Sequence, residues 1–124
     1  MGRSRVLLID DNESFRRMVS RTLVNAGYDV TEASDGRSGL AAFRQQPCDV
    51  VVTDIIMPDV EGLQTIQELR REDPTVKIIA MSGAGATRGV GYLDLASRFG
   101  ARHILQKPFK QEQLLAALAE VLAT

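Results

Sequence analysis

Asp10, Asp11, Asp54, Ser82 and Lys107 each stand where a short apolar run stops. The runs are Val6-Leu7-Leu8-Ile9 before the paired acids, Val50-Val51-Val52-Thr53 before Asp54, Ile78-Ile79-Ala80-Met81 before Ser82, and Ile104-Leu105-Gln106 before Lys107. If the chain gathers these positions, the carboxylates repel one another and need a cation among them. Mg²⁺ suits such a site, because it takes one or two carboxylates and completes its shell with water and phosphate oxygens. Zinc does not, for want of thiolate or imidazole ligands. A carboxylate beside Mg²⁺ can attack phosphorus and form an aspartyl phosphate, and Asp54 is the candidate nucleophile. Phosphoryl transfer asks mainly for positioning and charge neutralisation, which the Lys107 ammonium and the Ser82 hydroxyl could supply. Taken alone, Asp10-Asp11 would be no more than acids at a helix start.

Gathering requires parallel strands. Apolar runs alternating with helical patterns read as buried parallel strands, whose carboxyl ends share one rim where ligands of open α/β sheets bind. Asn12 is positioned to cap a first helix over residues 13–26, with Phe15, Met18, Val19 and Leu23 on one face and Gly27 as its stop. Residues 28–33 alternate as an edge strand would, and Ser34-Asp35-Gly36 opens a second helix with Leu40 and Phe43 inward, ended by Pro47. A third helix carries Leu63, Ile66 and Leu69 and stops at Asp73-Pro74, before a strand over residues 76–81. Glycines 83, 85, 89 and 91 make a loose stretch, expected to be the most mobile part, before a fourth helix with Leu93, Ala96 and Phe99 closed by Gly100. The last helix shows Leu114, Leu115, Leu118, Val121 and Leu122 at helical spacing, although Lys110 is a poor N-cap. The expectation is an α/β protein, a doubly wound sheet of five βα units with helices on both faces, forming one domain over residues 1–124.

With 124 residues, 44% apolar, the chain is long enough to bury a core without disulfide or structural metal, and with 5% aromatic content that core is aliphatic. A balance of 15 basic against 16 acidic side chains gives no bulk attraction to nucleic acid or anionic lipid. Cys48 is the one cysteine, read as a small strand-edge residue in a reducing compartment. No secretion signal or membrane-length apolar run is present, so a cytoplasmic location is expected. His103, beside Arg102, has no Cys or His partner nearby in sequence and reads as a solvated edge residue. Arg16, Arg17 and Arg21 read as a solvated helix face that could also steer an acidic partner.

The motifs Leu8-Ile9-Asp10-Asp11-Asn12, Asp54-Ile55-Ile56-Met57-Pro58-Asp59-Val60-Glu61-Gly62, Ser82-Gly83 and Lys107-Pro108-Phe109, in this order and spacing, make the chain resemble a response-regulator receiver domain of the chemotaxis-regulator type over essentially its whole length. The resemblance implies a flavodoxin-like sandwich, (βα)5, with strand order 2-1-3-4-5. It implies phosphorylation of Asp54 from a phosphohistidine on a sensor kinase or histidine phosphotransfer protein. It places Mg²⁺ on Asp11 and Asp54 directly, on Asp10 largely through water, and on the Ile56 carbonyl. Ser82, Lys107 and the amides of Ile56 and Gly83 would bind the phosphoryl group. A shift of Ser82 would then reposition the surface of the fourth helix, fifth strand and fifth helix toward a target protein or output domain, or into a phosphorylation-dependent dimer. Such a chain is no enzyme in the ordinary sense, catalysing only its own phosphorylation and dephosphorylation. The Lys107-Pro108 bond is commonly cis in that family.

The chain departs from the pattern at Ile104, where receivers usually carry the aromatic residue that accompanies the hydroxyl shift. Ile104 is therefore expected to contribute packing, leaving the switch to Ser82 and loop ordering. An aspartate-nucleophile phosphatase is the first rival, disfavoured because Ile56 stands where a second, general-acid Asp would be. A flavodoxin-type FMN binder is disfavoured by the anion-repelling Asp10-Asp11-Asn12-Glu13 loop. An inert interaction module of the same fold would have no need of the complete acid and lysine set. Ile56 and Ala84, two residues beyond Asp54 and Ser82, cannot hydrogen-bond a hydrolytic water. The phosphorylated protein should accordingly keep its phosphate for much longer than seconds without a phosphatase, and Ile56→Asn should shorten that lifetime; quench-and-mass time courses measure both.

Overall fold

The computed structural model describes residues 3–54, 61–83 and 100–123. Five parallel strands, β1 (Arg5–Ile9), β2 (Asp29–Ala33), β3 (Val50–Asp54), β4 (Lys77–Ser82) and β5 (His103–Gln106), form one sheet in the order β2-β1-β3-β4-β5. The described helices are α1 (Glu13–Asn25), α2 (Gly36–Gln45), α3 (Glu61–Glu72) and a C-terminal helix (Gln111–Leu122). The doubly wound architecture and its strand order agree with the sequence-based expectation. The helix expected around Leu93, Ala96 and Phe99, and the glycine-rich stretch from Gly85 to Gly91, lie outside the described residues.

Strand alternation divides the core into two layers. Val6, Leu8, Val50, Val52, Ile79 and Met81 face α1 and the C-terminal helix, where Val19, Leu23, Leu114 and Leu118 meet them. Leu7, Ile9, Val51, Ile78 and Ala80 face the other way, onto Phe43 of α2 and Ile66 and Leu69 of α3. Both sides of the central strands are therefore covered, which is why those strands read as unbroken apolar runs. β2, at the edge, is buried only at Ala33.

Local signals set the helix ends. The Phe15 amide donates to Asn12 Oδ1 at 2.9 Å, the expected N-cap, and Gly27 follows the helix at φ 99°, a conformation costly for any residue with a Cβ. Asp35 caps α2 through the Ser38 amide at 2.8 Å, and this hydrogen bond holds its carboxyl below the usual carboxylate range. Lys110, as expected, caps nothing with its side chain; instead its amide donates to Gln113 Oε1 at 2.8 Å. One inward assignment fails: Met18 is 56% exposed. Phe15, Val19 and Leu23 follow an i, i+4, i+8 line onto the sheet, and Met18 lies a quarter turn off it, in a shallow groove with Arg17, Arg21 and Leu115. His103 is half-buried and paired in register with Ile79, so it is less solvated than its flanking sequence implied.

Helix α2 approaches β1 through Gly39, where a Cβ would collide with the fully buried Ile9 side chain. Gly39→Ala should therefore destabilise the protein by roughly 1–3 kcal/mol, measured as a lower urea midpoint. An unchanged midpoint would mean that this contact has slack.

Candidate functional site

At the carboxyl rim the ladder continues one residue past two strand ends. The Asp10 amide donates to Ala33 O at 3.1 Å, and the Lys107 amide donates to Ser82 O at 2.7 Å. These bonds place both side chains over the same end of the sheet. Asp54 closes β3, adjacent to β1, so its carboxylate stands beside Asp10.

The resulting cluster is buried and charged. Asp10 and Ser82 have no exposed surface and Asp54 is 6% exposed. Lys107 Nζ donates to Asp10 Oδ2 at 2.9 Å and to Asp54 Oδ2 at 3.1 Å, joining positions 97 and 53 residues apart. Asp10 Oδ1 accepts from the Asn12 amide at 2.9 Å, so the N-cap residue of α1 also braces the acid. Burial alone would lower the Lys107 pKa; the hydrogen bond to Asp10 and the charges of Asp54 and Asp10 outweigh it and hold the ammonium above its ordinary value.

Asp11 is exposed at the mouth, and carboxylate oxygens of Asp10, Asp11 and Asp54 lie within 4.8 Å of one another. An all-oxygen set of this kind fits a hard divalent cation such as Mg²⁺, with the exposed Asp11 side leaving room for water and phosphate oxygens. Ser82 Oγ is fully buried without a hydrogen-bond partner among the described residues, a costly state for a hydroxyl unless an acceptor arrives. Gly83 follows it, half-buried. Ile56, expected to offer a carbonyl and an amide, lies outside the described residues.

Two residues at the site were read differently from sequence. Arg16, assigned to a solvated face, has a side chain only 13% exposed. It donates to the Asp10 carbonyl at 2.9 Å and to Glu32 Oε1 at 3.0 Å, latching the acidic loop to β2. Arg17, by contrast, makes an exposed pair with Glu13 and is the solvated residue expected. Phe15, assigned to the core, also presents its ring to Lys107, with Nζ 4.2 Å from the ring centroid. Only the four-residue spacing of Glu13 and Arg17 hinted that Arg16 would point elsewhere.

The remaining positions are quieter. The Lys107-Pro108 bond is cis. Ile104 is half-buried, in register with Ala80 and packed on the α2–α3 layer, in keeping with a packing role. Cys48 is half-buried beside the same layer, and desolvation pushes its thiol up to about 11.

Residues 6–119 match the response regulator receiver domain family. The chain is 35% identical over 122 residues to the chemotaxis protein CheY of Thermotoga maritima, covering 98% of each. It is 34% identical to the probable transcriptional regulatory protein TcrX of Mycobacterium tuberculosis, spanning 94% of this chain but 49% of that protein. Among solved structures, the chemotaxis protein CheY4 of Vibrio cholerae superposes with a TM-score of 0.88 at 33% identity, covering 97% of this chain and 99% of that one. The chain belongs to the response regulator receiver domain family, whose members are phosphoryl-accepting switches of two-component systems with phosphorylation on aspartate as a general feature.

Because the folded Lys107 pKa is raised, its ion pairs contribute stability that is fully present below the unfolded value near 10.5 and is lost as the pH rises through the folded value. Above about pH 10.5 the urea midpoint of the wild type should fall more steeply than that of Lys107→Met. Near neutral pH without divalent ions, Lys107→Met should be less stable by about 3 kcal/mol, since it strands buried carboxylates. Parallel slopes for the two proteins would refute the linkage.

Proposed function

We propose that residues 1–124 act as one receiver unit in which Asp54 is the phosphoacceptor. The observation that carries this reading is the bridge from Lys107 to the buried Asp10 and Asp54 at the strand ends. The donor is a phosphohistidine of a sensor kinase or histidine phosphotransfer protein. An Asp54 carboxylate oxygen attacks phosphorus, the P–N bond breaks, and the imidazole nitrogen leaves with the electron pair and regains a proton from solvent.

Asp10, Asp11 and Asp54, with the Ile56 carbonyl, would hold Mg²⁺. When bound, the ion neutralises charge on the phosphoryl oxygens. Lys107 keeps its ammonium beside Asp54 and can exchange that carboxylate oxygen for a phosphoryl oxygen. Ser82 Oγ, buried with no partner among the described residues, gains its acceptor when the phosphoryl group arrives, with the Gly83 amide as a further donor. That new bond biases a two-state surface, and β5 with the C-terminal helix is the face nearest Ser82 through the β4–β5 pairing.

The chain catalyses only its own phosphorylation and dephosphorylation, and it signals to a target protein or output domain, with phosphorylation-dependent dimerisation as one route. With 15 basic against 16 acidic side chains, no bulk attraction to nucleic acid or anionic lipid is expected, and no helix among the described residues is long and apolar enough to cross a membrane. We place it in the cytoplasm. Acetyl phosphate with Mg²⁺ should add the mass of one phosphoryl group to the wild type and none to Asp54→Ala, with Mg²⁺ omission or Lys107→Met reducing the yield. Labelling that survives Asp54→Ala unchanged would sink the assignment.

A further inference from the structure

An ammonium has three N–H donors, and Asp10 and Asp54 take two of those on Lys107, at 2.9 and 3.1 Å. Its remaining flank meets the Phe15 ring, 4.2 Å from Nζ to the centroid. That ring is itself held in place. The Phe109 ring stands edge-on to it at 5.8 Å and 81°, the side chain packs on the aliphatic layer below, and the Phe15 amide is bound by the Asn12 cap. Phe15 is thus tied both to the loop that presents Asp10 and Asp11 and, through Phe109, to the segment that carries Lys107.

We propose that Phe15 is a positioning residue for phosphoryl transfer: its π face holds the Lys107 ammonium over the Asp10–Asp54 pair, ready for the incoming phosphoryl oxygen. The inference rests on the reading of Asp54 as phosphoacceptor. Lysine is a point charge on a flexible four-carbon stem, and when Asp54 is modified one of its two anchors changes identity. The ring is the anchor that does not change. A negative aromatic face attracts a cation more strongly where water has been stripped away, and the Lys107 side chain is 21% exposed. An aliphatic residue at position 15 could fill the same volume and leave that flank without attraction. Phe15 touches no substrate; its effect passes through Lys107.

The test replaces Phe15 alone, in the full chain, with mono-, di- and trifluorinated phenylalanine, which nearly keep the shape and progressively drain the negative face. At saturating Mg²⁺ the initial rate of labelling by acetyl phosphate, read by intact mass, should fall stepwise to about threefold to tenfold below wild type. The Lys107 ammonium NMR signal in Mg²⁺-free protein should exchange faster with water along the series, while the melting temperature stays nearly level. Phe15→Leu should lose the ring-current shift on that signal. A labelled wild type with flat rates and flat ammonium exchange across the series overturns the proposal and leaves Phe15 a packing residue. A wild type that takes no phosphoryl group overturns the phosphoacceptor reading, and the proposal with it.

Discussion

A lysine ammonium between two buried carboxylates is the interaction around which the rim of this protein is arranged. Asp10 and Asp54 end neighbouring strands with 0% and 6% exposure, and two such charges side by side are not tolerated without a cation. Lys107 supplies it from the far end of the chain. The same pairing makes the site responsive. One ammonium against the carboxylates of Asp10, Asp11 and Asp54 compensates them only in part, so the pocket stays net negative and still attracts a divalent cation.

That arrangement depends on the sheet being parallel. Strands β1, β3, β4 and β5 all end on one rim, and the Asp10-to-Ala33 and Lys107-to-Ser82 bonds extend the ladder just far enough to aim the terminal side chains. The two aliphatic layers contribute rigidity. Val6, Leu8, Val50, Val52, Ile79 and Met81 on one face, and Leu7, Ile9, Val51, Ile78 and Ala80 on the other, leave the central strands little freedom to slide. A one-residue register slip would turn Asp54 or Ser82 away from the pocket and invert every apolar contact along that strand.

Around this core the site is braced by residues with more than one task. Asn12 caps α1 and its amide binds Asp10; Arg16 holds the Asp10 carbonyl and Glu32; Phe15 anchors α1 on the sheet and faces Lys107. Shared duties of this kind couple the fold of the first βα unit to the geometry of the acids. Ser82 stands apart, buried with its hydroxyl unpaired among the described residues, which makes it the polar group with most to gain from a new acceptor.

Sequence alone determined the α/β alternation, the helix cap at Asn12, the start of the second helix at Ser34-Asp35-Gly36 and the identity of the rim residues, because strand and helix periodicities and capping chemistry are local properties. It also carried the family pattern, since the four motifs hold their order along the chain. It assigned Met18 to the core and Arg16 to solvent, because composition around a helix does not say which neighbour each face will meet. Only tertiary structure decided that Lys107 bridges Asp10 to Asp54, that Arg16 turns back to the Asp10 carbonyl and that the Phe15 ring backs the ammonium. Those contacts are set by distances between strand ends and helix faces far apart in the chain, and such distances come into being only when the sheet closes around its core.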